Sequence, residues 1–135
     1  MNITALPITG LTGGALGLLY LILSSWVSLR RIQIGRSLGD GKDHQLKRAI
    51  RVHGNFAEFV PLLLVLLGLV ELTDASRAFV GGLAVTLVLA RLAHAVGLGL
   101  THRVSQLRRF GAAFTYLLLA VASGRLIVAC WGLVF

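Results

Sequence analysis

The chain has 135 residues, of which 56% are hydrophobic and only 13% charged, with a mean hydropathy of +0.85. A soluble domain carries about 25% charged residues, so this balance excludes an ordinary water-soluble fold and points to a membrane protein. The net charge of +8 does not indicate nucleic acid, because the basic residues lie beside apolar runs and not on a polar, aromatic-interleaved surface; the anionic face of a membrane suits them better.

The first apolar segment, residues 8–29, reads "ITGLTGGALGLLYLILSSWVSL". It lacks a basic leader and is followed at once by Arg30 and Arg31, so it is expected to be an uncleaved span and not a signal peptide. "GRSLGDGKDHQ" follows, rich in Gly and Asp, and predicts a turn-containing loop. From Asp43 onward no helix breaker appears before Pro61, so the basic stretch ahead of the second segment, 54–72, is expected to form its first helical turns. Pro61 is expected to kink that helix, because it lacks an N–H and crowds the preceding turn. The short loop "ELTDASR" leads to the third segment, 78–101, and a further basic loop to the fourth, 111–135. Glycines 13, 14, 17, 81 and 82 are expected to allow close helix approach.

Each segment is near the roughly 20 residues that cross about 30 Å of hydrocarbon, and in lipid only a helix or a closed barrel satisfies its own backbone. Period-two alternation is absent. The expected fold class is therefore all-α, an integral membrane four-helix bundle forming one domain over residues 1–135, without linker or internal repeat. Arg30, Arg31, Arg36, Lys42, Lys47, Arg48 and Arg51 surround the first loop and Arg103, Arg108 and Arg109 the third, whereas the middle loop has Arg77 alone. The positive-inside rule puts the two basic loops in the cytoplasm and both termini outside. The single cysteine, Cys130, excludes an intrachain disulfide and a cysteine-rich metal site and is expected to pack as a small apolar residue; no metal centre is expected.

Several polar groups enter the apolar segments. Arg51, Asn55 and Glu58 are spaced i, i+4, i+7 and share one stripe of the second helix. Glu58 is the deepest, and an ionised carboxylate there costs about 2.5 to 3.5 kcal/mol unless it finds a partner. The third segment offers Arg91 and His94, three residues apart on one face. One reading is a structural pair, Glu58 with Arg91, pinning the second helix to the third while Asn55 bonds across helices. The other is a polar ligand site at the cytoplasmic end of the bundle. Arg51, Arg91, His94, Arg108 and Arg109 outnumber the one acid, and a ligand with several carboxylates would balance them. Arg108 and Arg109 could instead meet lipid phosphates. His53 lies on another side of its helix, as a structural or intersubunit residue; His44 and His102 read as loop histidines, and Arg125 has no assigned role.

"RVHGNFAEFVP" resembles the signature of the membrane-associated proteins in eicosanoid and glutathione metabolism, the MAPEG family, in which R-x-H-x-N-x-x-E or R-x-x-x-N-x-x-E on the second of four helices precedes an apolar run. The resemblance extends over nearly the whole chain, through "SLRRIQ", "GDG", "ARLAHAVGL" and "QLRRFG"; "GDG" and "RLAHAVG" point to the bacterial branch, hence to a bacterial inner membrane. It implies a homotrimer that binds glutathione in clefts between subunits, with membrane lipid and a lipophilic small-molecule substrate as its other partners and no nucleic acid. By carry-over, Arg51, Asn55 and Glu58 hold the tripeptide, Arg108 faces the sulfur with Arg109 close behind, and Arg30 helps; Arg91 and His94 are expected at the same site as part of the cationic surplus that suits two carboxylates. The implied activity is of transferase or peroxidase type on a lipophilic electrophile.

The chain departs from active eukaryotic members at two positions where they often carry tyrosine: Phe59, directly after Glu58, and Leu98, four residues beyond His94. Tyr116 is not assigned by matching. The alternative to the enzyme is a non-catalytic membrane protein whose buried polar groups serve assembly or bind a lipid headgroup or small anion. A transporter or channel is disfavoured, because the polar line does not continue to the far side.

Overall fold

The computed structural model describes residues 6–100 and 105–134, which form four helices: α1 (Pro7–Gln33), α2 (His44–Glu71), α3 (Arg77–Leu100) and α4 (Gln106–Val134). All four are long and apolar enough to cross a membrane, so the all-α, four-helix architecture expected from the sequence is observed. The 28 residues of α2 reach about 42 Å at 1.5 Å per residue, against a hydrocarbon core of about 30 Å. Its first turns, with Lys47, Arg48 and Arg51, therefore project beyond the apolar run. Only 17% of the apolar stretch of α1 and of α4, and 33% of that of α2 and α3, is buried inside the bundle. Leu18, Leu62, Leu89 and Leu117 stand outward, a surface that suits lipid or another subunit and not water.

The helix ends are set by identifiable contacts. Pro7 opens α1 at a position where its missing N–H costs nothing. The next two amides, of Ile8 and Thr9, donate to the carboxylate of Glu71 at 2.9 and 2.8 Å, so the end of α2 supplies the negative charge that a helix N-terminus favours. At the other end of α1, Gly35 adopts φ +63°, its amide bonds Ile32 O at 3.2 Å and that of Arg36 bonds Arg31 O at 3.0 Å. This is a Schellman closure, and it needs a residue at ease in the left-handed region. Asp43 then caps α2 by accepting the Leu46 amide at 2.7 Å, and the same carboxylate takes the Arg30 guanidinium through two bonds of 3.1 and 2.7 Å. The hydrogen bonds from Arg30 and from the Leu46 amide hold the Asp43 carboxyl down at about 2. The two helices are thus fastened to each other at both ends.

α2 runs unbroken through Pro61. The core joins Leu16 and Leu23 of α1, Val52, Phe56, Val60 and Leu63 of α2, Leu87 and Ala95 of α3, and Leu118 of α4. α1 packs on α2 and α3, α4 packs on α2 and α3, and among the described residues α1 and α4 do not meet. Lipid tails are as apolar as these side chains, so close van der Waals fit, not water exclusion, holds such helices together.

The closest approach lies between α3 and α4. A Cβ on Gly97 would stand 2.4 Å from the Arg108 amide nitrogen, and one on Gly111 would stand 2.7 Å from the Ala90 carbonyl oxygen and from His94. Ser105 completes this junction, its Oγ accepting the Arg108 amide at 3.2 Å and donating to the Gly97 carbonyl at 3.0 Å. The glycines expected to play this part do not: nothing lies within 4 Å of a Cβ built on Gly14, Gly17, Gly81 or Gly82, and Gly13 only just meets Leu64. Cys130 also departs from expectation, because it is exposed on α4 and not packed.

Candidate functional site

Arg91 is 1% exposed and joins three helices. From α3 its Nη2 donates to Asn55 Oδ1 on α2 at 2.7 Å, and its Nη1 to Thr115 Oγ1 on α4 at 3.2 Å. Thr115 in turn donates to the Gly111 carbonyl of its own helix at 2.7 Å. The Phe56 ring lies beneath the guanidinium, 5.7 Å from centroid to Cζ, within cation–π range. Only a planar fork could span two partners on different helices in this way. Two buried nitrogens nearby have no hydrogen-bond partner, Nε of Arg91 and Nδ1 of His94. A buried polar atom left unpaired costs about 1 to 3 kcal/mol, so each calls for a partner from elsewhere.

That place is a cavity of about 250 Å³ between α2, α3 and α4. α2 contributes Arg51, Asn55 and Phe59; α3 contributes Arg91, His94 and Leu98; α4 contributes Arg108, Ala112, Thr115 and Tyr116. Its walls hold three arginines and no carboxylate. The glycine contacts explain how it is assembled: Gly111 lets α4 lie against Ala90 and His94, and Gly97 brings the backbone of Arg108 onto α3.

The structure brings together five of the eight residues singled out from the sequence, Arg51, Asn55, Arg91, His94 and Arg108, and separates the other three. Glu58 is exposed on the protomer's surface and makes no pair with Arg91, whose fork is taken by Asn55 and Thr115. The reason is rotational. Glu58 lies two residues from both Phe56 and Val60, which are buried, so at about 100° per residue it points nearly away from the core. Sharing a stripe with Asn55 allowed for that turn. Arg109 is likewise exposed and off the cavity, which leaves Arg108 as the arginine on its wall. Arg30 is not at the cavity in this protomer, being held by Asp43.

Other residues are also placed. His53 stacks on Tyr20 with ring centroids 4.9 Å apart. His44 is the first residue of α2 and no loop residue. His102 and Arg103 lie outside the described residues. Arg125 follows Ala122 by one turn and precedes Leu126, both packed against Val70 and Val80, so it sits near the connection of α2 to α3 and not at mid-depth. Among the described residues no group of three His, Cys, Asp or Glu side chains is placed to hold a metal. Sequence reasoning missed Thr115 and left Tyr116 unassigned. The Tyr116 ring meets Phe59 edge-on at 5.7 Å, so the cavity gains a phenol from α4 where Phe59 and Leu98 supply none. The i+4, i+7 and i+8 spacing of Ala112, Thr115 and Tyr116 from Arg108, which puts them on one helix face, was the available signal.

Fold and site together define an all-helical membrane bundle of four spans whose inward polar residues converge on one cationic cavity near the basic end. Comparison with known proteins agrees with this class. The MAPEG family model matches residues 9–128. The chain is 32% identical over 126 residues to "Inner membrane protein YecN" of Escherichia coli strain K12, covering 87% of this chain and 95% of that protein, and equally to the protein of that name from Escherichia coli O6:H1. The chain belongs to the MAPEG family. No solved structure matches it.

Proposed function

We propose that the protein is a glutathione-dependent membrane enzyme of transferase or peroxidase type, acting on a lipophilic electrophile, with glutathione bound between the subunits of a homotrimer on the cytoplasmic side. The observation that carries this reading is the incomplete compensation of Arg91. A charge at the centre of a span costs about 2.5 to 3.5 kcal/mol, whereas a hydrogen bond between membrane helices returns about 0.6 kcal/mol on average. Two such bonds offset less than half of the cost. The unpaired Nε, the unpaired Nδ1 of His94 and the acid-free walls with Arg51 and Arg108 are the complement of an anionic ligand with several acceptors. Glutathione brings two carboxylates, and its ammonium suits Glu58, which stands on the adjacent outward face where a neighbouring subunit would close the site.

In this reading Arg51 and Arg91 hold carboxylates, Asn55 meets the peptide and Arg108 faces the sulfur. The thiol loses its proton to solvent, the thiolate attacks the electrophile, a carbon–sulfur bond forms and the leaving group departs with its bonding pair. Lowering a thiol pKa from about 8.5 by two units requires about 2.7 kcal/mol, which lies within the roughly 1.5 to 3 kcal/mol that one hydrogen bond to a charged group supplies.

The test is glutathione binding to the purified protein in detergent. Wild type is expected to bind at millimolar affinity or better and to show thiolate absorbance. Arg51→Ala loses binding, Arg108→Ala keeps binding but loses the thiolate signal by at least about ten-fold, a difference of about 1.4 kcal/mol, and Arg109→Ala changes neither. No glutathione binding by an intact assembly would overturn the proposal and leave the non-catalytic reading, in which the cavity serves a lipid headgroup or small anion.

A further inference from the structure

A second concavity, of about 500 Å³, opens at the basic end of the bundle between the α1–α2 loop and the first turns of α2, lined by Arg31, Gly39, Asp40, Lys47, Ile50 and Arg51. It is separate from the cavity around Arg91 and adjoins it only through Arg51, which lines both. Three cations face one carboxylate here, and Asp40 already accepts the Lys42 amide on Oδ1 at 3.0 Å. The side chains of Lys47 and Arg51 have no hydrogen-bond or ion-pair partner among the described residues. The basin therefore favours an anion.

A separate observation concerns Leu38, which is 84% exposed, the most exposed of the large hydrophobic side chains among the described residues. It does not hang from a loose loop. Arg31 Nη1 donates to the carbonyls on either side of it, Ser37 O at 3.1 Å and Gly39 O at 2.9 Å. One basin arginine thus fixes the loop segment that presents Leu38 outward, and Ile32 on the neighbouring turn of α1 is 76% exposed as well. A site for a free cytosolic anion has no use for an apolar side chain held out at its rim. A lipid surface meets both features, since Leu38 can enter the acyl boundary while the basin takes the headgroup beside it.

We propose that the basin of Arg31, Lys47 and Arg51, with Leu38 as its apolar anchor, binds the phosphate of an acidic phospholipid of the adjoining leaflet. With three cations against one acid the basin prefers an acidic headgroup to a zwitterionic one, whose own cation would be repelled. This inference shares Arg51 with the glutathione site but does not rest on glutathione binding; its variants spare Arg51 and its readout is lipid, so the two can fail separately.

The test uses the full chain purified in mild detergent, supplied with mixed micelles of phosphatidylglycerol and phosphatidylcholine in equal amounts, with bound lipid counted by native mass spectrometry. Wild type is expected to retain phosphatidylglycerol in preference. Lys47→Gln reduces that preference about five-fold, as a cation worth about 1 kcal/mol at a membrane surface implies, Lys47→Arg restores it, and Leu38→Ser lowers retention while leaving the charge in place. Equal retention of both lipids, an unchanged preference in Lys47→Gln, or a loss that Lys47→Arg does not restore would overturn the proposal. Displacement of the lipid by inorganic phosphate, equally in wild type and Leu38→Ser, would assign the basin to soluble anions and overturn the lipid.

Discussion

Gly97 and Arg108 show how one hydrogen atom in place of a methyl group positions a charged side chain. Because the missing Cβ of Gly97 is what admits the Arg108 backbone, Gly97→Ala must part α3 from α4 at the level of the cavity. Overpacking of this kind costs about 1 to 3 kcal/mol, so the variant is expected to melt earlier in detergent and to lose the thiolate signal with it. Gly81→Ala meets open space and, since Gly is worth about 0.5 to 1 kcal/mol less than Ala within a helix, is expected to melt no earlier than wild type. At this scale the sequence was informative about charges and uninformative about contacts. Arg51 with Asn55, and Arg91 with His94, stand out because ionisable and amide groups are costly in lipid and their spacing gives a common face. Thr115 does not stand out, since a hydroxyl can bond its own helix, as this one does to Gly111. Which glycine is pressed against a neighbour depends on how each helix is rotated, and nothing in the local spacing of the five glycines first singled out encodes that.

Among the elements, α1 and α2 behave as one hairpin because ionic groups tie them at each end. Removing the Glu71 carboxylate frees two first-turn amides of α1, and Glu71→Ala is expected to cost about 0.5 to 2 kcal/mol, the range of a lost helix cap. The other tie is pH-dependent. The folded pKa of Asp43, about 2, lies below its ordinary value of 3.8, so its contribution is complete above the ordinary value and is lost as the pH falls through the folded one. Wild type is therefore expected to lose melting temperature between about pH 4 and pH 2 by an increment that Asp43→Asn lacks. The helices were legible from hydropathy, and the first turns of α2 from the breaker-free run after Asp43. What was not legible is the contact that sets the start at His44, ten residues ahead of the apolar segment: the Asp43 carboxylate caps the helix, whether or not the following residues belong in lipid.

For the whole molecule, the outward faces pose the main question of orientation. The single native thiol makes it accessible to experiment: in a Cys130→Ser background, Ser37→Cys is expected to react with a membrane-impermeant maleimide only after the membrane is opened, and Asp74→Cys in intact cells. The reverse pattern would invert the orientation derived from the basic loops. Glu58 illustrates why a pairing is harder to read than a bundle. A carboxylate on the second span was conspicuous in the sequence, but Arg91, the partner that its place in the third span suggested, already has its fork occupied by Asn55 and Thr115 within the protomer.

The two hairpins differ in how they are joined. α1 is laced to α2 by charge, α3 is welded to α4 by glycine, and the chamber of Arg91 straddles the seam, with Arg51, Asn55 and Phe59 on one bank and the remaining walls on the other. Rocking of one hairpin against its neighbour is then the motion that widens or narrows this chamber. Any occupant gripping both banks acts as a bolt across that seam, so saturating ligand is expected to raise the melting temperature, about 2.7 kcal/mol of protection accruing at a hundred-fold excess over its dissociation constant.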